Sequence, residues 1–188
     1  MARLEKLSIV LEEQFFRDEN AKKLDKLREK QSRAAIKESL RLESGMTDEG
    51  VLDKLVDLGI SAETIHALSL VPLVVVAWAD GKMQDNERHA IMHGAESKGI
   101  DKNSSSYDLL SNWLKTKPGD ELFDAWESYI QALLSHLTSQ QREILAAQVV
   151  DRARDVAKSA GGFLGIASIS DDEDQVLDRL SAAFRPQS

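Results

Sequence analysis

The chain has 188 residues, with 24 Lys and Arg against 32 Asp and Glu for a formal charge of −8, four His and no Cys. A chain of that length makes one domain with an appendage and buries roughly two thirds of its unfolded surface, so a self-sufficient core is expected. The lack of cysteine excludes disulfides, thiolate metal sites and thiol nucleophiles, and the negative charge argues against nonspecific binding to nucleic acid or anionic lipid.

Only three prolines and ten glycines interrupt a composition rich in helix formers, which predicts an all-α fold. Charge is uneven along the chain. Residues 1–45 hold 11 basic and 9 acidic side chains, leaving 13 of the 24 basic and 23 of the 32 acidic groups to residues 46–188. The opening "MARLEKLSIVLEEQ" has no apolar segment of signal-peptide length, so cytoplasmic residence is the default expectation. The most apolar run, "LSLVPLVVVAWA" at 68–79, falls short of the ~20 residues a membrane span needs and reads as a buried core helix.

In chain order, residues 3–43 read as helix, with Leu4, Leu7, Leu11 and Phe15 and then Leu24, Leu27, Ala34 and Leu40 at three- to four-residue spacing. The stretch "RDEN" at 17–20 is the expected break if there are two helices, and packing on the chain's own domain is the expected fate of the stripe. Irregular heptads argue against a coiled coil. "SGMTDEG" at 44–50 marks the boundary between an N-terminal amphipathic extension, 1–45, and a helical domain, 46–188. Thr47 is the candidate N-cap of a short helix closed by Gly59. Ser61 is placed to cap a helix from Ala62 to about Ala79 that Pro72 should kink. A helix from about Asp85 to Lys98 stops at Gly99. Helices around "YDLLSNWLKT" and "LFDAWESYIQALLSHL" follow, then a capping box at "TSQQ" (138–141) opening a helix to Ala160 and another at "SDDE" (170–173) opening the last one. About seven to eight helices with short connections make a bundle.

The junction "AWADGKMQDNERHA" at 77–90 carries the strongest chemical signal. In a calcium-loop register Asp80 takes the fifth position, Gly81 the sixth, Met83 the apolar eighth and Glu87 the bidentate twelfth. The first and third positions fall on Val76 and Trp78, which have no side-chain oxygen, so a complete EF-hand is excluded. Asp80, Glu87, Asp85 and a carbonyl such as that of Lys82 give four or five oxygens where calcium takes about six to eight. The alternative is a plain corner: Gly81 in the left-handed conformation, Asp85 capping the next helix, and Glu87 in a first turn where the macrodipole favours its charge.

With these residues in view, "VVVAWADGKMQDNERHAIMHGAESKGI" at 74–100 resembles the signature of TerB-like domains, the tellurite-resistance family whose relatives include the N-terminal region of a membrane-anchored DnaJ-type co-chaperone. The shared pattern is an apolar helix, Ala-Asp-Gly, an apolar residue two positions on and a glutamate seven after the aspartate. The resemblance covers about residues 60–185. It implies an all-helical bundle of two related halves, a link to stress responses, and divalent-cation binding through clustered acidic residues, with Asp80 and Glu87 at the acidic positions. The second copy of an internal repeat is then expected: a shift of 86 residues puts Glu87 on Glu173, Met83 on Ile169 and Ile91 on Leu177. Asp80 and Gly81 fall on Ile166 and Ala167, so the second half keeps only Glu173, with Asp171 and Asp172 beside it.

Other constellations carry less. His89, His93 and Glu96 share helical spacing suited to zinc, but Ala90 stands where a zincin needs glutamate, and Ile91, Ala95 and the Arg88 stem mark the opposite, buried face. His66 and His136 lie in separate helices. "NSSS" at 103–106 has no nucleophile elbow, and "AGGFLG" follows a helix and lacks the phosphate-loop lysine; the Gly161–Gly165 segment reads as close packing or an apolar hinge for a partner or membrane surface. Trp78, Trp113 and Trp126 fit apolar helix faces. The expected function is non-enzymatic: a TerB-like stress-associated or adaptor module with a weak calcium, magnesium or manganese site at Asp80, Asp85, Glu87 and Glu173. The alternative is a pure protein-interaction or oligomerisation module acting through residues 1–45, with the motif only a structural corner.

Overall fold

A computed structural model describes the backbone of residues 2–160 and 169–185 and the side chains of 22–159 and 169–185. It is all-helical: α1 (Ala2–Ser44), α2 (Glu49–Asp57), a 3₁₀ helix (Ile65–Leu70) running into α3 (Val71–Ala77), α4 (Asp85–Ser97), α5 (Ser105–Lys115), α6 (Asp120–Leu134), α7 (Ser139–Ala160) and α8 (Asp171–Ala182). Among the described residues there is no strand, and no helix is long and apolar enough to cross a membrane. Gly161–Gly165 lies outside the described residues.

Apolar periodicity sorts the helices into layers. In α3, Val71, Pro72, Leu73, Val74, Val76 and Ala77 are all buried, and a helix apolar on every side belongs at a centre. It packs against α4, α6, α7 and α8, while α2 rests on α6 and α5 on the 3₁₀ helix. Trp126, 1% exposed, anchors the core beside Phe123 at 5.4 Å and edge-on to Phe184 at 6.1 Å. The Arg179 guanidinium lies over the Phe123 ring, 3.9 Å from its centroid. Trp78 Nε1–H donates to the Trp113 carbonyl (2.9 Å), tying the end of α3 to α5.

Three local expectations are corrected. The helix expected from Ala62 to Ala79 is a 3₁₀ turn and then α3, with Pro72 in the first turn of α3, where its missing N–H has no partner to lose. Asp48, not Thr47, caps α2, accepting from the Val51 N–H at 2.9 Å. Gln84, not Asp85, is the N-cap of α4. Of the two alternatives for residues 3–43, the single helix holds: residues 2–44 run without a break at 17–20, and neither glycine nor proline occurs before Gly45 to interrupt them.

Among the described side chains of α1, packing on its own domain is confined to the last turns. Residues 22–32 are all exposed, and Leu40 is the first of the described residues to be fully buried. Around Leu40, α1 runs antiparallel to α2 through a ladder of ion pairs. Arg33 reaches Asp57 (2.5 Å) and Asp53 (3.2 Å), Lys37 reaches Glu49 (2.7 Å) and Asp53 (2.8 Å), and Arg41 pairs with Glu49. Hydrogen bonds from Lys37 hold the Asp53 and Glu49 carboxyls below the usual carboxylate range. Leu24 and Leu27, each 55% exposed, and Leu42, 77% exposed, face away from this contact.

Candidate functional site

The corner between α3 and α4 is built by one glycine and two carboxylates. Gly81 has φ +81°, the left-handed region in which a side chain is strained. The Asp80 carboxylate accepts from the Lys82 N–H at 2.8 Å, closing the turn, and the Gly81 N–H donates to the Trp78 carbonyl at 3.0 Å. Three residues into α4, Glu87 folds back so that its Oε2 accepts from the Gln84 N–H at 2.8 Å. The α8 start repeats this device. Glu173 Oε2 accepts from the Ser170 N–H (2.6 Å) and the Ser170 hydroxyl (2.8 Å), and the Glu173 N–H donates back to Ser170 Oγ at 3.3 Å.

The 86-residue shift that relates Glu87 to Glu173 also carries the first residue of α4, Asp85, onto the first of α8, Asp171. Paired positions match in burial: Ile91 is 0% and Leu177 2% exposed, Glu87 2% and Glu173 7%, while Met83 and Ile169 are both half-buried against the core. Two glutamates in N3 positions, each buried against its own helix start, are close enough to sense one another. Burial, joined by the charges of Glu173 and then Asp80 and opposed by the Gln84 N–H, pushes the Glu87 carboxyl up to about 7.

Asp80, Glu87 and Glu173 therefore share one electrostatic neighbourhood, whereas Asp85 sits exposed on the first turn of α4. Its carbonyl accepts from His89 Nδ1–H at 2.7 Å. Among the described residues no group of three or more His, Asp or Glu side chains is arranged to hold a metal ion. The hydrogen bonds supply a physical reason: Asp80 commits an oxygen to Lys82, Glu87 one to Gln84, and Glu173 one to Ser170 twice over.

The remaining residues are dispersed. His66, His89, His93 and His136 are exposed, and Glu96 pairs with Lys102 at 2.9 Å. Ile91 and Ala95 form the buried face of α4 and Arg88 is half-buried. One concavity has no counterpart in the sequence reading: a surface groove of about 660 Å³ whose lining includes His66, Ser69, Lys98, Asp101 and Tyr129. Burial lowers Lys98, helped by the charge of Arg152, and raises Tyr129. Those residues come from the 3₁₀ helix, the connection after α4, and α6, at no regular spacing, so no local motif announces them. Comparison of the chain with protein-family models, curated proteins and solved structures yields no match.

Proposed function

We propose that the chain is a non-enzymatic, TerB-like interaction module of the cytoplasm, in which a helical body holds α1 out to a protein partner. The observation that carries this reading is the exposure of residues 22–32, with Leu24 and Leu27 uncovered on a helix whose far end is fixed by Leu40. A helix that leaves leucines in water while its root is anchored in a core has more use as a docking element than as packing. Replacing both leucines, Leu24→Asp with Leu27→Asp, should abolish association in solution or in chemical crosslinking while the thermal unfolding of the body stays unchanged. Identical association by wild type and the double variant would refute the reading.

The Glu87–Glu173 apposition favours a second reading, a weak divalent-cation site between the starts of α4 and α8, with Asp80 at its edge. A cation there would offset two buried like charges and fix the angle between the two helices. Calorimetric titration with calcium, magnesium and manganese should then give binding in the wild type and none in Asp80→Ala. No heat and no thermal shift with any of the three ions at millimolar concentration would remove this reading.

A further inference from the structure

The groove of about 660 Å³ has no part in the reading of α1, and its charged groups leave one another unpaired. Just after α4, the Lys98 ammonium donates to the Ser69 hydroxyl at 3.4 Å and pairs with no carboxylate among the described residues. Burial, with the charge of Arg152 nearby, holds it below the ordinary lysine value. Glu43 lies in the last turn of α1 and Glu63 precedes the 3₁₀ helix; both are exposed, and neither carboxylate pairs with a cation among the described residues. Asp101 accepts from the Asn103 N–H at 2.7 Å and likewise has no cation. The backbone keeps opposite charges apart. The Ser106 hydroxyl donates to the Glu63 carbonyl at 2.9 Å, which ties that end of the groove to α5, whereas Ser69 lies six residues on, about 12 Å at the ~2 Å rise of a 3₁₀ path. Apolar wall is supplied by Ile65 and Ile100, both buried. Tyr129 of α6 adds a ring and a hydroxyl that has no hydrogen-bond partner among the described residues, where a largely buried tyrosine ordinarily finds one.

We propose that this groove binds a basic α-amino acid of the arginine or lysine class, free or as the C-terminal residue of a peptide, with the ligand carboxylate on Lys98 and its side-chain cation on Glu63. The lining selects that class. Three carboxylates against one lysine repel a plain anion, and no group of three or more His, Asp or Glu among the described residues is arranged to hold a metal ion. A cation without a carboxylate leaves Lys98 unanswered, and an apolar ligand answers none of the charges. A basic amino acid carries one anion, a chain of methylenes and a distal cation, matching one ammonium, an apolar wall and a distant carboxylate. Where the α-amine is free, Glu43 and Asp101 supply the further negative charge it needs. Ligand pockets of roughly 300–1,000 Å³ are the usual range, so the groove is large enough for such a residue.

Calorimetric titration of the full chain should show binding of L-arginine or L-lysine at millimolar concentration or below. For L-arginine, agmatine, which lacks the carboxylate, and L-norvaline, which lacks the guanidinium, should each bind about tenfold more weakly or worse. Lys98→Gln should bring L-arginine down to the level of agmatine, and Glu63→Gln should bring it down to the level of L-norvaline. Both positions are exposed, so thermal unfolding without ligand should match wild type in each variant. N-acetyl-L-arginine separates the two sources: binding as tight as that of L-arginine assigns the groove to a peptide end, and loss of binding on acetylation assigns it to the free amino acid. No heat with either L-arginine or L-lysine overturns the proposal. So does wild-type binding of agmatine as tight as that of L-arginine, or binding that both substitutions leave unchanged. None of these outcomes depends on Leu24 or Leu27, so the interaction reading of α1 stands or falls separately.

Discussion

Leu40→Ala is expected to cost about 2–5 kcal/mol of stability, more than removal of all three cations that pair α1 with α2. Leu40 is 0% exposed and, among the described residues of α1, is the one in the core cluster. Deleting most of its side chain loses the transfer free energy of the removed atoms and leaves a cavity that the short α2 and its neighbours fill only in part. Arg33, Lys37 and Arg41, by contrast, pair with carboxylates that are 46–65% exposed, where water and salt screen the attraction and the long side chains lose rotamer freedom. The ladder therefore sets the direction in which α1 leaves the body, and Leu40 sets how firmly it is held. Urea unfolding of Leu40→Ala and of the triple Gln variant at positions 33, 37 and 41 checks the ordering. A larger loss in the triple variant would reverse this account.

The second large effect is a pH dependence located at Glu87. Its carboxyl is pushed up to about 7 in the folded chain from the ordinary 4.5, so the folded state holds the proton more tightly than the unfolded state. For such a raised value, the stabilisation is fully present below about pH 4.5 and is lost as pH rises through 7. The full shift corresponds to up to about 3 kcal/mol, and roughly half of that after solvent screening. Glu87→Gln keeps an acceptor for the Gln84 N–H and carries no charge. The variant should match wild type near pH 4.5 and exceed it at pH 8, with a flatter profile of urea midpoint against pH. Parallel profiles for the two proteins would show that Glu87 is not the titrating group. A divalent cation at the corner acts in the opposite sense, stabilising wild type at pH 8 and leaving Glu87→Gln indifferent.

Much of the architecture was legible because the signals are local. The capping box at Ser170 and Glu173, the Thr138–Gln141 pair that opens α7, and the left-handed glycines at 59, 81 and 99 each need only a few neighbouring residues. The 3₁₀ turn before α3, which lies against α5, was not legible, since Ser61 and Pro72 are compatible with either helix. Nor was the exposure of Leu24 and Leu27: periodicity identifies a stripe, but α1 carries no single apolar face along its length. For the candidate site, the 86-residue repeat singles out Glu173, whereas Asp85 is a candidate by its proximity in sequence and lies exposed on the first turn of α4. The mutual repulsion of Glu87 and Glu173 depends on how α4 and α8 approach, which no spacing within either helix encodes.

The central position of α3 bears on how the chain is made. Its neighbours α6, α7 and α8 all follow it, and α7 ends at Ala160, some 80 residues downstream. At about 5–20 residues per second of synthesis, the Val71–Ala77 segment lacks the full cover of α7 for roughly 4–16 s, long enough for nonspecific association. Nascent chains halted before α7 should therefore hold an uncovered apolar helix and bind holdase chaperones, whereas chains that have completed α8 release them.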